Sequence, residues 1–427
     1  TDLPNRALFP DRLAHALRRA RRSGEPVSVL CHDLDDFKTV TDSLGHAAGD
    51  RLLVWAARRI VSVIRRSDTA ARLGGDEFAV LLEGAGGIEE VAPRVARALT
   101  DPLQIDGHDV APQASVGIAA ARPDSTAESL MRQADVAMYA AKAAGKGRRV
   151  LFREDMEQAA HDRMALRSDL RHALDRGELS LRYQPIVDVV SGHIRFVEAL
   201  LRWEHPVRGA IRPAEFIPLA EETGLIRPIG AWALESACEE AVRWRELRGS
   251  MAPALSVNLS ARQLDDPEME GLVARALDTS GLDPASLVLE IAESALMSDT
   301  EGSTKELSEL AALGVRIAID DFGVGATSLR HLGRLPVDIV KLDKSFMDAI
   351  ADDERDAELA AAVLQACDAF GLVCAAEGVE RAEQVSEIER IGFHLAQGFY
   401  YSRPVGAETL RGSLRARLPV ADRLARA

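Results

Sequence analysis

The sequence predicts two domains of different class, an α+β domain built on an antiparallel sheet over residues 1–151 and a (β/α)8 TIM-type barrel over residues 174–415. Three observations carry this expectation. At 427 residues the chain exceeds what one hydrophobic core usually supports. Its first third mixes helical periodicity with β-rich runs around a double-glycine turn. The later part repeats short apolar runs separated by helical stretches. Between the two, residues 152–173 are charged, helix-favouring and free of Gly and Pro, which reads as a stiff helical connector, and residues 416–427 form a C-terminal tail.

In chain order, Val27-Ser28-Val29-Leu30-Cys31 is a β-rich run that ends in the polar Asp33-Leu34-Asp35-Asp36. A helix is expected over Gly49 to Arg65, with Leu52, Ala56, Ile60 and Val63 on one face. Ala71-Arg72-Leu73 and Phe78-Ala79-Val80-Leu81-Leu82 flank Gly74-Gly75 as a hairpin. Gln113 to Ala119 is a further strand and Leu130 to Ala144 a further amphipathic helix. Barrel strands are expected at 179–186, 194–201, 254–259, 286–291, 315–319, 338–342, 372–376 and 394–399. Glu198, Asn258, Glu290, Asp320, Lys341, Glu377 and Gln397 fall at or near strand ends, where barrel enzymes build their sites.

A composition of 47% hydrophobic and 28% charged residues is ordinary for a soluble globular protein. No apolar run is long enough to span a bilayer, and the polar start Thr1-Asp2-Leu3-Pro4-Asn5-Arg6 is unlike a secretory signal. Cys31, Cys238, Cys367 and Cys374 lack CxxC spacing, so buried free thiols in a reducing cytoplasm are expected. A net charge of −15 argues against a nucleic-acid polymer as partner, while leaving room for small anions neutralised by metals or local bases.

Two constellations carry chemistry. In the first, Gly74-Gly75 lets backbone approach a phosphate, and Asp76 and Glu77 follow beside Asp33 of a neighbouring strand. Carboxylates so placed suit Mg²⁺ on a nucleoside triphosphate, with Lys38, Lys142 and Lys146 as cationic partners. Gly-Gly-Asp-Glu alone reads more readily as a plain solvated hairpin. Its surroundings, Arg65 to Phe78, Asp33-Leu34-Asp35-Asp36-Phe37-Lys38, Gly45-His46-Ala47-Ala48-Gly49-Asp50 and Ala141-Lys142-Ala143-Ala144-Gly145-Lys146, closely resemble the GGDEF diguanylate cyclases, a nucleotide-cyclase-like fold. The resemblance implies that Asp33 and Asp76 bind metal, that Glu77 acts at the catalytic centre, and that Lys38, Lys142 and Lys146 hold phosphates. It also implies that Asp50 reads a guanine edge, that two GTP condense to cyclic di-GMP across a homodimer, and that an upstream sensory module precedes the chain. Arg65 and Asp68 match the family's inhibitory product site, with a helix-end ion pair as the equal alternative. Thr41 stands where the family usually has Asn, whose amide both donates to and accepts from guanine, and Lys146 replaces the usual Arg.

In the second, Glu198, Asn258, Glu290, Asp320, Asp321 and Glu377 offer oxygens for paired metals, which suits phosphodiester hydrolysis, with Lys341 near the developing charge. Structural pairing of these carboxylates with Arg and Lys is the alternative. Tyr183-Gln184-Pro185-Ile186, Glu198-Ala199-Leu200-Leu201-Arg202-Trp203, Val257-Asn258-Leu259-Ser260, Leu289-Glu290-Ile291-Ala292-Glu293, Asp320-Asp321-Phe322-Gly323, Lys341-Leu342-Asp343, Glu377-Gly378-Val379-Glu380 and Gln397-Gly398 resemble the EAL cyclic di-GMP phosphodiesterases. That likeness implies those six residues as metal ligands for Mg²⁺ or Mn²⁺, two ions in each domain's site, with Glu377 also catalytic. Gln184, Arg202 and Gln397 would contact the dinucleotide, Lys341 and Asp343 would order the attacking water, Glu293 would anchor the loop after Asp321, and pGpG would be the product. Val324, Ala326 and Ala292 depart from the usual loop and its neighbour. The sequence thus supports cyclic di-GMP turnover, with hydrolysis the stronger half. Its alternatives are a phosphodiesterase whose first domain only binds GTP, or a non-catalytic cyclic di-GMP receptor.

Overall fold

The computed structural model describes residues 1–84, 87–297, 300–325 and 332–415, in two compact units, Thr1–Ala165 and Leu166–Ala427. Ala326, Thr327 and Ser328 of the departing loop, and the tail 416–427, lie outside the described residues.

In the first unit, β1 (Val27–Asp35), β2 (Thr69–Gly74), β3 (Glu77–Glu83), β6 (Gln113–Ala120) and β7 (Arg149–Leu151) form a sheet in the order β2-β3-β1-β6-β7. A separate hairpin joins β4 (Leu103–Ile105) and β5 (His108–Val110). The main sheet is antiparallel except where β7 runs parallel to β6. Successive residues of β1 face opposite sides and both sides are covered, so its apolar run is continuous rather than alternating. Leu30, Val80 and Leu82 pack with Leu52 and Ile60 of the helix His46–Val63 and with Val91 and Val95 of the helix Gly87–Ala98. Val29, Cys31 and Leu81 pack with Phe9 and Leu13 of the helix Leu8–Ser23 and with Leu130 and Ala134 of the helix Ala127–Ala143.

Gly117 of β6 is where that last helix comes closest: a Cβ there would stand 2.0 Å from the Ala134 carbonyl oxygen and 2.1 Å from the Met138 nitrogen. Both obstacles are backbone, which shifts only with the helix. Gly117→Ala is therefore expected to destabilise the first domain by at least ~1–3 kcal/mol, seen as an earlier first transition in urea unfolding with the barrel transition unmoved.

The helix Glu154–Ala173 occupies the stretch read as a connector. In the second unit β8 (Leu179–Asp188), β9 (Ile194–His205), β11 (Ala254–Leu259), β12 (Leu287–Ala292), β13 (Arg316–Phe322), β14 (Ile339–Leu342), β15 (Val373–Ala376) and β16 (Leu395–Ala396) close into an eight-stranded barrel, and β10 (Gly209–Ile211) extends β9 as a flap. The eight strands fall where the sequence predicts them. One detail refines the all-parallel picture: β8 runs antiparallel to both β9 and β16. Only residues 189–193 separate β8 from β9, too few for a parallel crossover. Ile186, Phe196, Ala254, Val288, Ala318, Ile339, Ala375 and Leu395 fill the barrel's lower interior and seal it.

Candidate active sites

Strand register gathers the barrel-mouth residues. Asn258 pairs with Glu290, Ser256 with Glu198, and Gln184 of the reversed strand with Glu198. Asp320 and Asp321 present a geometric problem, since consecutive strand residues point to opposite faces. A bulge between Ile319 and Phe322 solves it, with Asp321 in the left-handed region at φ 52°. As a result, carboxylate oxygens of Asp320, Asp321 and Glu377 all lie within 4.8 Å of one another.

Lys341 sits at the centre, 2% exposed. Its Nζ is 2.6 Å from Glu377, 2.7 Å from Glu290, 3.1 Å from Asp320 and 3.6 Å from Glu198. The cluster thus does contain a matching base, one ammonium against five carboxylates. Glu198 also accepts from Asn258 Nδ2 and Gln397 Nε2, each at 2.6 Å. Gln397 Nε2 reaches Gln184 Oε1 at 3.2 Å, and Gln184 donates to the Ser402 carbonyl.

These partners set the protonation pattern. Burial raises the Glu198 carboxyl, but the Lys341 charge and the two amide donors outweigh it, so Glu198 is held below its ordinary value. Burial and the neighbouring Glu198 charge hold Glu290 well above it. Burial, only partly offset by Lys341, pushes Glu377 up to about 8. Burial and the Asp320 charge raise Asp321. Burial disfavours the Lys341 ammonium, yet the surrounding carboxylates keep it well above the lysine range.

A cavity of ≈ 410 Å³ opens over Gln184, Glu198, Asp320, Asp321, Lys341, Asp343, Glu377 and Gln397. Asp343 caps the helix Lys344–Asp348 through the Ser345 amide. Glu293, 2% exposed, accepts the Gly323 and Gly325 amides at 2.8 and 3.0 Å, and so ties down the chain after Asp321. Arg202 is not in the cavity wall; its Nη1 donates to the Leu201 carbonyl at 2.8 Å. Ser256, which hydrogen-bonds Glu290, was not singled out from the sequence. Its place two residues before Asn258 puts it on the same strand face, which is the signal that finds it.

The first-domain residues converge less tightly. Asp33 lies opposite Glu77 in the β1–β3 register, two residues before its strand ends, and its neighbour Leu34 donates to the Asp76 carbonyl. Lys142 Nζ is 2.7 Å from Asp33, and Lys146 Nζ is 2.6 Å from Asp36. Burial raises the Asp33 carboxyl, opposed by Lys142. Gly75, at φ 48°, turns the hairpin and its carbonyl accepts from Arg72. Lys38 and Asp50 are exposed on the helices Phe37–Leu44 and His46–Val63. The Thr41 hydroxyl donates to the Lys38 carbonyl at 2.7 Å. Asp68 accepts the backbone amides of Arg65 and Glu83, and the Arg65 guanidinium meets Glu90 at the surface.

Residues 167–404 match the EAL domain family, and residues 1–148 match the diguanylate cyclase GGDEF domain. The chain is 43% identical over 418 residues to the bifunctional diguanylate cyclase/cyclic di-GMP phosphodiesterase MucR of Pseudomonas aeruginosa, covering 97% of this chain and 61% of that protein. It is 36% identical over 419 residues to the cyclic di-GMP phosphodiesterase NbdA of the same organism, covering 97% and 53%. The chain therefore spans between half and two thirds of the length of these relatives. The structure of PaMucR phosphodiesterase in complex with c-di-GMP superposes with a TM-score of 0.56 at 43% identity, covering 58% of this chain and 99% of that one. With both domain families matched in tandem around the geometry above, the chain belongs to the EAL domain family and carries a GGDEF domain ahead of its barrel.

Proposed function

We propose that the barrel hydrolyses cyclic di-GMP to linear pGpG with divalent cations held by Glu198, Asn258, Glu290, Asp320, Asp321 and Glu377. The observation that carries this is the charge imbalance: five carboxylates crowd one buried ammonium, which is costly unless further cations bind. The donor set fits Mg²⁺ or Mn²⁺, being all oxygen, and Asp320 Oδ1 is buried without an aligned hydrogen bond. When bound, such ions activate water and polarise the phosphodiester. The chain's own groups do the remainder. Gln397 and Asn258 fix Glu198, Lys341 and Asp343 position the attacking water, and Gln184, Gln397 and Arg202 bind the dinucleotide.

The first domain, on this reading, takes GTP: Asp33 and Asp76 hold metal, Glu77 acts at the reacting centre, and Lys38, Lys142 and Lys146 bind phosphates with Asp50 on the base. Paired copies would join two such sites. The four buried free thiols suit a reducing compartment, so a cytoplasmic location belongs to the same reading.

One observation favours GTP as regulator over GTP as substrate. The Thr41 hydroxyl is already committed to its own helix, leaving no amide to read guanine. Thr41→Asn is expected to lower the Kd for GTP about fivefold, the worth of one net hydrogen bond of about 1 kcal/mol. An unchanged Kd removes Thr41 from guanine recognition. The two readings separate by giving the protein GTP and cyclic di-GMP in separate incubations with Mg²⁺ or Mn²⁺ and resolving the nucleotides by chromatography. GTP consumed to cyclic di-GMP supports synthesis; GTP that stimulates pGpG release without being consumed supports regulation. If neither nucleotide turns over while cyclic di-GMP still binds, the enzymatic proposal fails.

A further inference from the structure

The opposite end of the barrel holds a second cavity, of ≈ 320 Å³, with a contrasting lining. It is walled by Arg195, Arg248, Arg316 and His193, with Ser250 and Ser286 between them, and among the described residues no Asp or Glu lines it. This is unexpected on a chain of net charge −15. Arg195 and Arg316 stand at the starts of β9 and β13, and Ser286 immediately precedes β12, so the cavity opens at the N-terminal strand ends. Along β9 and β13, roughly 10–13 Å of strand separates these arginines from Glu198 and Asp320. The sealed layer that includes Phe196, Val288 and Ala318 lies on the same strands.

Two of the three arginines are held in place by contacts within the fold. Arg316 lies over the Phe196 ring, 4.9 Å from its centroid, and its Nε donates to the Ala285 carbonyl at 3.1 Å. Arg248 donates from Nη1 to the Leu414 carbonyl at 3.3 Å, while its Nε is buried with no hydrogen-bond partner among the described residues. Two carboxylates outside the lining balance part of this charge. Asp338, which accepts the Ile317 amide at 2.9 Å, acts on Arg316, and Asp188, which accepts the Ser191 amide at 2.8 Å, acts on Arg195; neither carboxylate lines the cavity itself. Preorganised guanidinium forks, a buried orphan donor and hydroxyls around a ligand-sized space match the geometry of phosphoryl oxygens.

We propose that this basal cavity is a binding site for a small diphosphate-bearing anion, distinct from the barrel mouth. Arg195 and Arg316 supply the charge and Arg248 the buried donor. The site's occupancy does not depend on the hydrolytic reading, because it uses none of the mouth residues.

The test is calorimetric titration of the intact chain at low ionic strength in excess EDTA, which keeps divalent cations from both metal sites. Inorganic pyrophosphate and GDP are the two probes, one lacking and one carrying a base. Saturable binding of either, weakened at least tenfold by Arg195→Glu and by Arg316→Gln and unchanged by Lys142→Ala or Arg202→Ala, supports the site. Tighter GDP than pyrophosphate binding assigns it to a nucleotide; the reverse assigns it to the inorganic ion. Arg195 is exposed at the strand start, so Arg195→Glu should fold even if Arg316→Gln does not, and circular dichroism checks this. No binding of either probe overturns the proposal, as does binding that survives Arg195→Glu but is lost in Lys142→Ala.

Discussion

Glu198→Ala is expected to reduce pGpG formation by on the order of 10²–10³-fold or more while leaving the barrel folded. Glu198 is 5% exposed and receives two amide hydrogen bonds as well as the Lys341 charge, so its carboxylate is fixed in orientation and kept ionised. Truncation deletes a ligand oxygen from the mouth and frees Asn258 and Gln397 from the positions that carboxylate imposes. Some stability should be lost as well. Against its burial, Lys341 and the two amide donors hold Glu198 ionised, so truncation leaves the Asn258 donor and the buried Gln397 donor without that partner, and urea unfolding in chelator should show a loss of ~1–3 kcal/mol with the barrel still folded. Lost activity accompanied by unfolding would mean that Glu198 is structural. Retained activity would remove it from the site altogether.

The second large effect is expected at Lys341. Lys341→Met keeps the volume but withdraws the ammonium that, among the described residues, Glu198, Glu290, Asp320 and Glu377 share. Leaving buried carboxylates unpaired typically costs ~3–5 kcal/mol, so urea unfolding in EDTA should show a loss of that order. Excess Mn²⁺ should restore much of it, because cations replace the missing charge. Hydrolysis should not return with stability, since the group proposed to position the attacking water is gone.

The pH dependence has a definite sign. Glu377 has a folded value of about 8 against an ordinary 4.5, so the folded state binds more protons than the unfolded state between those values. That stability is present below about 4.5 and is lost as pH rises toward about 8. Without Lys341 the carboxyls are raised further, so the variant's deficit in EDTA should widen across the same window. A deficit independent of pH and of Mn²⁺ would mean that Lys341 packs rather than neutralises.

Much of this was legible because alternation and strand-end polarity survive in one sequence. The barrel strands and the mouth residues Glu198, Asn258, Glu290, Asp320, Lys341 and Glu377 could be located without coordinates. Direction could not be read from periodicity: Leu179–Asp188 alternates the same way whichever way it runs. The short link to Ile194 was the available clue. The Asp320–Asp321 bulge was not legible, since a left-handed aspartate leaves no compositional mark. Nor were the hydrogen bonds from the Arg65 amide to Asp68 and from the Thr41 hydroxyl to the Lys38 carbonyl, because each depends on a backbone group. The helices Leu8–Ser23 and Gly87–Ala98 carry no motif to mark them, and it is their packing on opposite faces of the sheet that explains why β1 is buried from Val27 to Leu34.

The most direct test is the initial rate of pGpG formation from saturating cyclic di-GMP as Mn²⁺ is added to chelator-treated protein. The barrel-mouth account predicts a rate that starts at background, rises with Mn²⁺ and saturates. Equal pGpG production in excess EDTA would contradict it, as would bound but intact cyclic di-GMP at every Mn²⁺ concentration.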